Sequence, residues 1–178
     1  MLDIRELGRR PGAWRRIHLS VPAPAGLGTE VLGVPEGSAL ESDLRLEAVM
    51  EGILASGTAR VLAAGECVRC LEPLEREFEV DFQELYVYPE SDAEEDEAYR
   101  LQGDLLDLEP TVRDAVVLTL PFQPTCRDDC PGLCAQCGAR LADDPGHQHE
   151  AEIDPRWAAL REISTTDNDA GQTGLTKE

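Results

Sequence analysis

The chain has 178 residues and a formal charge of −20, from 36 acidic and 16 basic side chains. That length suits one domain of ordinary size with some polar margin. With 42% apolar residues but only three Phe, two Trp and three Tyr, the core has to be built from Leu, Val, Ala and Ile. No apolar run reaches the ~18–20 residues of a membrane helix, and the arginine-rich start lacks the apolar stretch of a secretory signal. The expectation is a cytoplasmic protein with reduced thiols and no membrane partner. Its overall field opposes nucleic-acid phosphates.

The charge is uneven. Residues 1–18 carry Arg5, Arg9, Arg10, Arg15 and Arg16 against Asp3 and Glu6, a local surplus of +3 that leaves −23 on the other 160 residues. Residues 1–15 read as an extended or short helical lead broken at Pro11-Gly12, followed by a strand at Arg16–Val21 and a Pro/Gly loop. From Ser42 the pattern alternates, with Leu44, Leu46, Ala48 and Met50 on one face, as in a half-buried strand. A second strand is expected over Gly52–Ala64, with Ser56-Gly57 as a bulge or turn. In Leu74–Phe82 the residues Leu74, Phe78, Val80 and Phe82 share one face, and Glu75, Glu77, Glu79 and Asp81 the other. Three such strands joined by short turns imply an antiparallel sheet, and the last turn holds Cys67 and Cys70.

Residues 89–98 form an acidic loop with nothing apolar to bury. Glu109-Pro110-Thr111 starts a helix, since proline suits the first turn; Val112, Ala115, Val116 and Thr119 give its buried side, and Pro121 ends it. A cysteine-rich segment spans residues 126–149. Asp154-Pro155 starts a second short helix that Trp157, Leu160 and Ile163 can dock, and residues 164–178 read as a disordered tail, leaving residues 1–163 as one domain. The fold class is α+β: an antiparallel sheet or partly open barrel with a few short helices and a C-terminal zinc-knuckle segment.

The six cysteines fall in pairs: Cys67 and Cys70, Cys126 and Cys130, Cys134 and Cys137, with His147 and His149 beyond them. Zinc takes four ligands, and two ligands a few residues apart share one tight turn. Gly138, directly after Cys137, suits a knuckle that needs positive φ. Eight ligands allow one or two zinc ions. In one partition Cys67, Cys70, Cys126 and Cys130 hold the first ion, and Cys134, Cys137, His147 and His149 the second. In another, Cys67 and Cys70 join Cys134 and Cys137. The two histidines also fit a solvated loop. A redox dithiol is the rival, but its CxxC belongs at a helix start in a βαβ unit, and Cys67 lies between two strands. Catalytic zinc needs an open position and an adjacent acid or base; neither HExxH nor the HxE–PCxxC deaminase pattern is present, and no small-molecule substrate is implied.

LDIRELGRRPG, LRLEAVMEG, ECVRCLEPL, DLLDLEPTVRDAVVLTLP, CRDDCPGLCAQCG and DPRWAAL, spread over residues 2–160, together resemble the bacterial YceD-like family. The resemblance implies a non-enzymatic role in the accumulation of large-subunit ribosomal RNA, the 23S rRNA, and hence in ribosome assembly. Members with the full cysteine set carry CxC where this chain has His147-Gln-His149, which fits an exchange of zinc ligands. Two kinds of partner follow: the rRNA itself, met by Arg9, Arg10, Arg15 and Arg16 with Trp14 stacking on a base, or a basic large-subunit ribosomal protein held by the acidic surface. The alternative for the basic end is that Trp14 packs on the sheet and the arginines are solvated.

Overall fold

The computed structural model describes residues 1–91, 98–149 and 156. The backbone divides into two compact units, Met1–Leu133 and Cys134–Glu178. The first contains β1 (Leu2–Asp3), β2 (Trp14–Pro22), β3 (Leu27–Gly28), β4 (Leu32–Val34), β5 (Ala39–Ala48), β6 (Gly52–Glu66), β7 (Pro73–Val87), β8 (Tyr99–Arg100), β9 (Leu105–Leu106) and α1 (Glu109–Thr119). The expected acidic loop lies largely at residues 92–97, outside the described residues, as do the expected helix from Asp154 and the tail at 164–178.

β6 organises the sheet. It pairs with β7 in one unbroken antiparallel register from Gly52↔Val87 to Glu66↔Pro73. Its other edge pairs with β5 along the first half and with β4 near the end. β2 lies outside β5, β3 outside β4, and β8 runs parallel to the end of β7. Among the described residues the sheet is open and antiparallel apart from β8; it does not close into a barrel, and α1 is the only α-helix. No helix among these residues is long and apolar enough to cross a membrane.

Alternation decides the faces. On β5 the buried row is Leu40, Ser42, Leu44, Leu46 and Ala48, while Met50 falls in the turn beyond the strand and is exposed. Ser56-Gly57 is neither bulge nor turn: both residues sit in the continuous ladder of β6. The glycine has a steric reason instead, because a Cβ there would run into the Asp43 carbonyl oxygen of β5. The buried rows of β5, β6 and β7 meet on one face, covered by α1 through Val112, Val116 and Leu120. Further along, the lead folds back on the same face: Ile4 and Leu7 pack with Leu46, Ile53, Tyr86 and Leu106, and β1 pairs with β9. The expected lead is thus part of the core. α1 starts where expected, with proline in its first turn, and Tyr86 and Thr111 share a buried hydroxyl hydrogen bond of 2.5 Å that ties this end to β7. Its buried side departs from expectation at both ends of the helix, beginning with Thr111, which is buried. Thr119 is exposed and donates to the Ala115 carbonyl at 2.9 Å, and Leu120, which caps the helix, takes the core position.

Candidate metal centres

The β6–β7 hairpin ends in a six-residue loop that carries Cys67 and Cys70. The Cys67 N–H donates to the Glu72 carbonyl at 2.8 Å, and the Leu71 N–H donates back to the Cys67 carbonyl at 2.8 Å. This turn forces Leu71 to φ 59°, a conformation unfavourable for a residue with a Cβ. The same construction recurs in the second unit. The Cys134 N–H donates to the Ala139 carbonyl and the Gly138 N–H to the Cys134 carbonyl, both at 2.8 Å, with Gly138 at φ 73°. Each CxxC is therefore wound so that both sulfurs leave one side of a tight turn. Gly138 was legible as the residue that permits it; Leu71 adopts the same geometry without glycine's freedom.

In the first unit the segment after α1 is strapped over the hairpin loop. The Val68 N–H donates to the Pro124 carbonyl at 2.9 Å and the Leu133 N–H to the Arg69 carbonyl at 3.1 Å. The Arg69 guanidinium donates to the Cys130 carbonyl at 3.0 Å, and that of Arg76 to the Thr125 carbonyl at 3.2 Å. These straps bring Cys126 and Cys130 to Cys67 and Cys70, with all four sulfurs within 4.8 Å of one another. The Cys67–Cys130 and Cys70–Cys126 separations are 3.9 and 3.7 Å. Bonded disulfide sulfurs stand ~2.05 Å apart, so the thiols are free. Four sulfurs placed ~2.3 Å from one zinc ion at tetrahedral angles stand about 3.8 Å apart. The donor set fits that ion in chemistry and in spacing. Cys67, Cys70 and Cys130 are buried and Cys126 is exposed.

Without an ion the four thiols compete over charge. Burial opposes the Cys67 thiolate, but the backbone N–H groups of Cys126, Cys70 and Arg69 outweigh it and lower this thiol to about 6. Burial and the neighbouring sulfurs raise Cys70. Hydrogen bonding to Cys130, then burial, pushes Cys126 up to about 12. A divalent cation removes the conflict, because metal binding takes thiols as thiolates and displaces their protons.

In the second unit Cys134, Cys137, His147 and His149 place their ligand atoms within 4.8 Å of one another. Cys137 Sγ lies 3.2 Å from His147 Nε2 and 3.3 Å from His149 Nε2, and the two imidazole nitrogens are 2.9 Å apart. The backbone N–H groups of Cys137 and Gln136 outweigh burial and lower the Cys134 thiol to about 6, with His147 adding to the effect. The Asp144 carboxylate lies 3.6 Å from His147 Nδ1, on the side of the ring away from the cluster. Sequence reading missed this neighbour of the imidazole. Cys137 and His149 are exposed. The groups that form are those of the first partition; the cysteines of the two CxxC turns belong to different groups.

The basic residues of the lead do not form one free patch. Arg9 stacks over the Tyr88 ring at 4.7 Å and pairs with Glu90 at 3.3 Å, and Arg15 pairs with Glu6 at 2.6 Å. Arg10 has no side-chain partner among the described residues. Trp14 is 54% exposed on the outer face of β2, with the guanidinium carbons of Arg16 and Arg45 at 5.8 and 4.9 Å from its ring centre. Sequence reading puts Arg45 on the polar face of its strand but not beside Trp14, because that neighbour lies across the β2–β5 ladder.

An open, mostly antiparallel sheet whose longest hairpin ends in a cysteine turn defines the first unit, and each unit carries one four-residue group that could hold a metal ion. A family model described as large ribosomal RNA subunit accumulation protein YceD matches residues 55–164, and the chain belongs to that family. It is 48% identical over 172 residues to the uncharacterized protein Rv2926c of Mycobacterium tuberculosis, covering 94% of this chain and 83% of that one. It is 42% identical over 171 residues to the uncharacterized protein ML1660 of Mycobacterium leprae, covering 94% and 78%. With the uncharacterized protein YlbN of Bacillus subtilis the identity is 26% over 106 residues, covering 58% and 62%. No solved structure matches the chain.

Proposed function

We propose that this protein is a non-enzymatic, cytoplasmic zinc-binding accessory factor that supports accumulation of the large-subunit ribosomal RNA by holding a basic large-subunit ribosomal protein before assembly. The observation that carries the zinc reading is the quartet Cys67, Cys70, Cys126 and Cys130, whose sulfur separations of 3.9 and 3.7 Å suit one tetrahedral ion. Four protein ligands leave no open position, so zinc there would supply folding energy rather than Lewis-acid chemistry. Cys134, Cys137, His147 and His149 would hold a second ion. The link to rRNA rests on the family's description.

Charge supports a protein partner. The chain carries −20, and Glu75, Glu77, Glu79 and Asp81 stand exposed in a row on the outer face of β7, with Glu79 paired to Arg60 at 2.7 Å. Such a surface attracts a cationic chain and repels phosphates. Two of the arginines expected at RNA, Arg9 and Arg15, are already engaged by carboxylates. One observation favours direct RNA contact as a second reading: Trp14, exposed between Arg16 and Arg45, offers a face on which a base can stack. Access weakens the redox alternative for the first group alone, where Cys67, the thiol of depressed pKa, is fully buried; in the second group Cys134, lowered to about 6, is half-buried and its CxxC partner Cys137 is exposed.

The test is large-subunit rRNA abundance in cells depleted of the protein and rescued with variants. The wild type and a variant with Arg9, Arg10, Arg15 and Arg16 replaced by Gln are expected to restore it, and Cys67→Ser is not. Rescue that fails with the arginine variant moves the mechanism to RNA contact, and normal rRNA after depletion removes the assignment.

A further inference from the structure

Solvent reaches the two metal-ligand groups to different extents. In the first, Cys67, Cys70 and Cys130 are 0%, 6% and 4% exposed, and Cys126 alone is open to solvent. In the second, Cys134 is half-buried, and Cys137 and His149 are exposed. The turn that carries this CxxC is open as well, since Ala135, Gln136 and Gly138 are all exposed. Oxidation of a thiol follows such access.

The groups also differ in what oxidation can make of them. The second holds two sulfurs and two imidazoles. Imidazole forms no disulfide, so Cys134 and Cys137 have only each other as partners within the group. Their sulfurs lie within 4.8 Å of one another on one side of a turn closed by the Gly138 N–H donating to the Cys134 carbonyl at 2.8 Å. Side-chain rotation in that turn closes the gap to the ~2.05 Å of a disulfide. In the first group the sulfurs that the exposed Cys126 would have to join, Cys70 at 3.7 Å and Cys130, are buried. The chain that carries Cys126 is also held down, with the Val68 N–H donating to the Pro124 carbonyl at 2.9 Å and Arg76 donating to the Thr125 carbonyl at 3.2 Å.

We propose that Cys134 and Cys137 form a peroxide-oxidisable dithiol, a modification site whose closure releases the ion held by the second group and leaves the first quartet intact. The Cys137 thiolate attacks one oxygen of a hydroperoxide, the O–O bond breaks, and a sulfenic acid forms at Cys137. The departing oxygen takes a proton from water. The Cys134 thiolate then attacks the Cys137 sulfur, the S–S bond forms, and hydroxide leaves and is protonated. Two electrons pass from the sulfurs to the peroxide, and the ion's charge does not change. The group is left with His147 and His149 alone, two of the four ligands that structural zinc takes. For the ion, the inference rests on the proposed function above; for the dithiol it does not.

The experiment treats the full-length, zinc-loaded protein with hydrogen peroxide. Released zinc is followed with a chromogenic chelator, bound zinc by native mass spectrometry, and each thiol by alkylation and peptide mapping. One zinc equivalent should leave as a Cys134–Cys137 disulfide forms, with Cys67, Cys70, Cys126 and Cys130 still alkylated and the sheet unchanged by circular dichroism. A thiol reductant with added zinc should restore the starting mass. In Cys134→Ala no disulfide should form, and a carbon nucleophile that traps sulfenic acids should label Cys137. Retained zinc, loss of both ions together, first oxidation at Cys126, or trapping elsewhere than Cys137 overturns the inference. A protein that starts with zinc in the quartet alone removes the second ion from the proposed function, and the dithiol then stands or falls by its disulfide. Normal rRNA after depletion removes the proposed function and leaves this chemistry standing.

Discussion

Replacing Cys67 with serine removes one sulfur of a quartet that joins two distant stretches of chain. Cys67 and Cys130 are 63 residues apart in sequence, so an ion held by the quartet would act as a cross-link across a long loop. By the loop-entropy relation used for disulfides, losing a cross-link of that span costs about 4 kcal/mol at 25 °C. That is a large share of the ~5–15 kcal/mol that holds a domain together. For a unit of this size it lowers the melting temperature on the order of 10–20 °C. Cys67→Ser is compared with wild type by urea titration and thermal melting, each with and without a strong chelator. Chelated wild type should fall to the variant's level, and the chelator should leave the variant unchanged. A wild type that is fully metal-free and equally stable refutes the reasoning, and a variant that loses stability in both conditions assigns Cys67 to packing alone.

Leu71→Gly relieves a positive φ at an exposed position; the gain of ~1–2 kcal/mol from the left-handed conformation is offset by glycine's entropy cost of ~0.5–1 kcal/mol. The net should be neutral to about 1 kcal/mol stabilising by urea denaturation, and a clear loss would contradict the turn. Gly57→Ala places a methyl against the Asp43 carbonyl and should cost about 1–3 kcal/mol, checked in the same assay; an unchanged midpoint would mean the strands are not so close. His147→Ala with His149→Ala should remove one metal equivalent by elemental analysis and leave the melting of the first unit within about 0.5 kcal/mol of wild type. In the metal-free protein, Cys67 ionises near 6 against a usual 9.0, so the unfolded chain binds more protons between those values and stability rises with pH across them. Above pH 9 the sign reverses, because Cys126 is held up to about 12 and stays protonated where the unfolded thiol has ionised. Urea midpoints from pH 6 to 10 should show the rise and the fall, and a flat profile would contradict the clustering of the thiols.

The parts of the fold that alternation controls were legible, because one buried face leaves a period of two that no other structure produces. β5, β6 and β7 and the placement of Cys67 and Cys70 in the last turn follow from it. What escaped has its cause elsewhere in the chain. Ser56-Gly57 reads as an interruption, and only the approach of Asp43 from β5 turns the glycine into a packing requirement. β1 is two residues long and pairs with β9 across the sequence, so the lead carries no local sign that Ile4 and Leu7 belong to the core. The short strands β3 and β4 lie in a Pro/Gly-rich stretch whose composition signals a loop. Ligand spacing offered two partitions of the cysteines; the straps from Val68, Arg69, Arg76 and Leu133, none visible in a motif, bring Cys126 and Cys130 to the hairpin loop.

Metal content is the most direct measurement. Protein purified without added metal or chelator and weighed by native mass spectrometry should carry two zinc ions. Cys130→Ser and the paired replacement of His147 and His149 by Ala should each carry one, and the combination of all three changes none. A compact wild type that shows its bare polypeptide mass even after zinc is supplied would contradict the account, leaving six free thiols without the ion that their geometry suits.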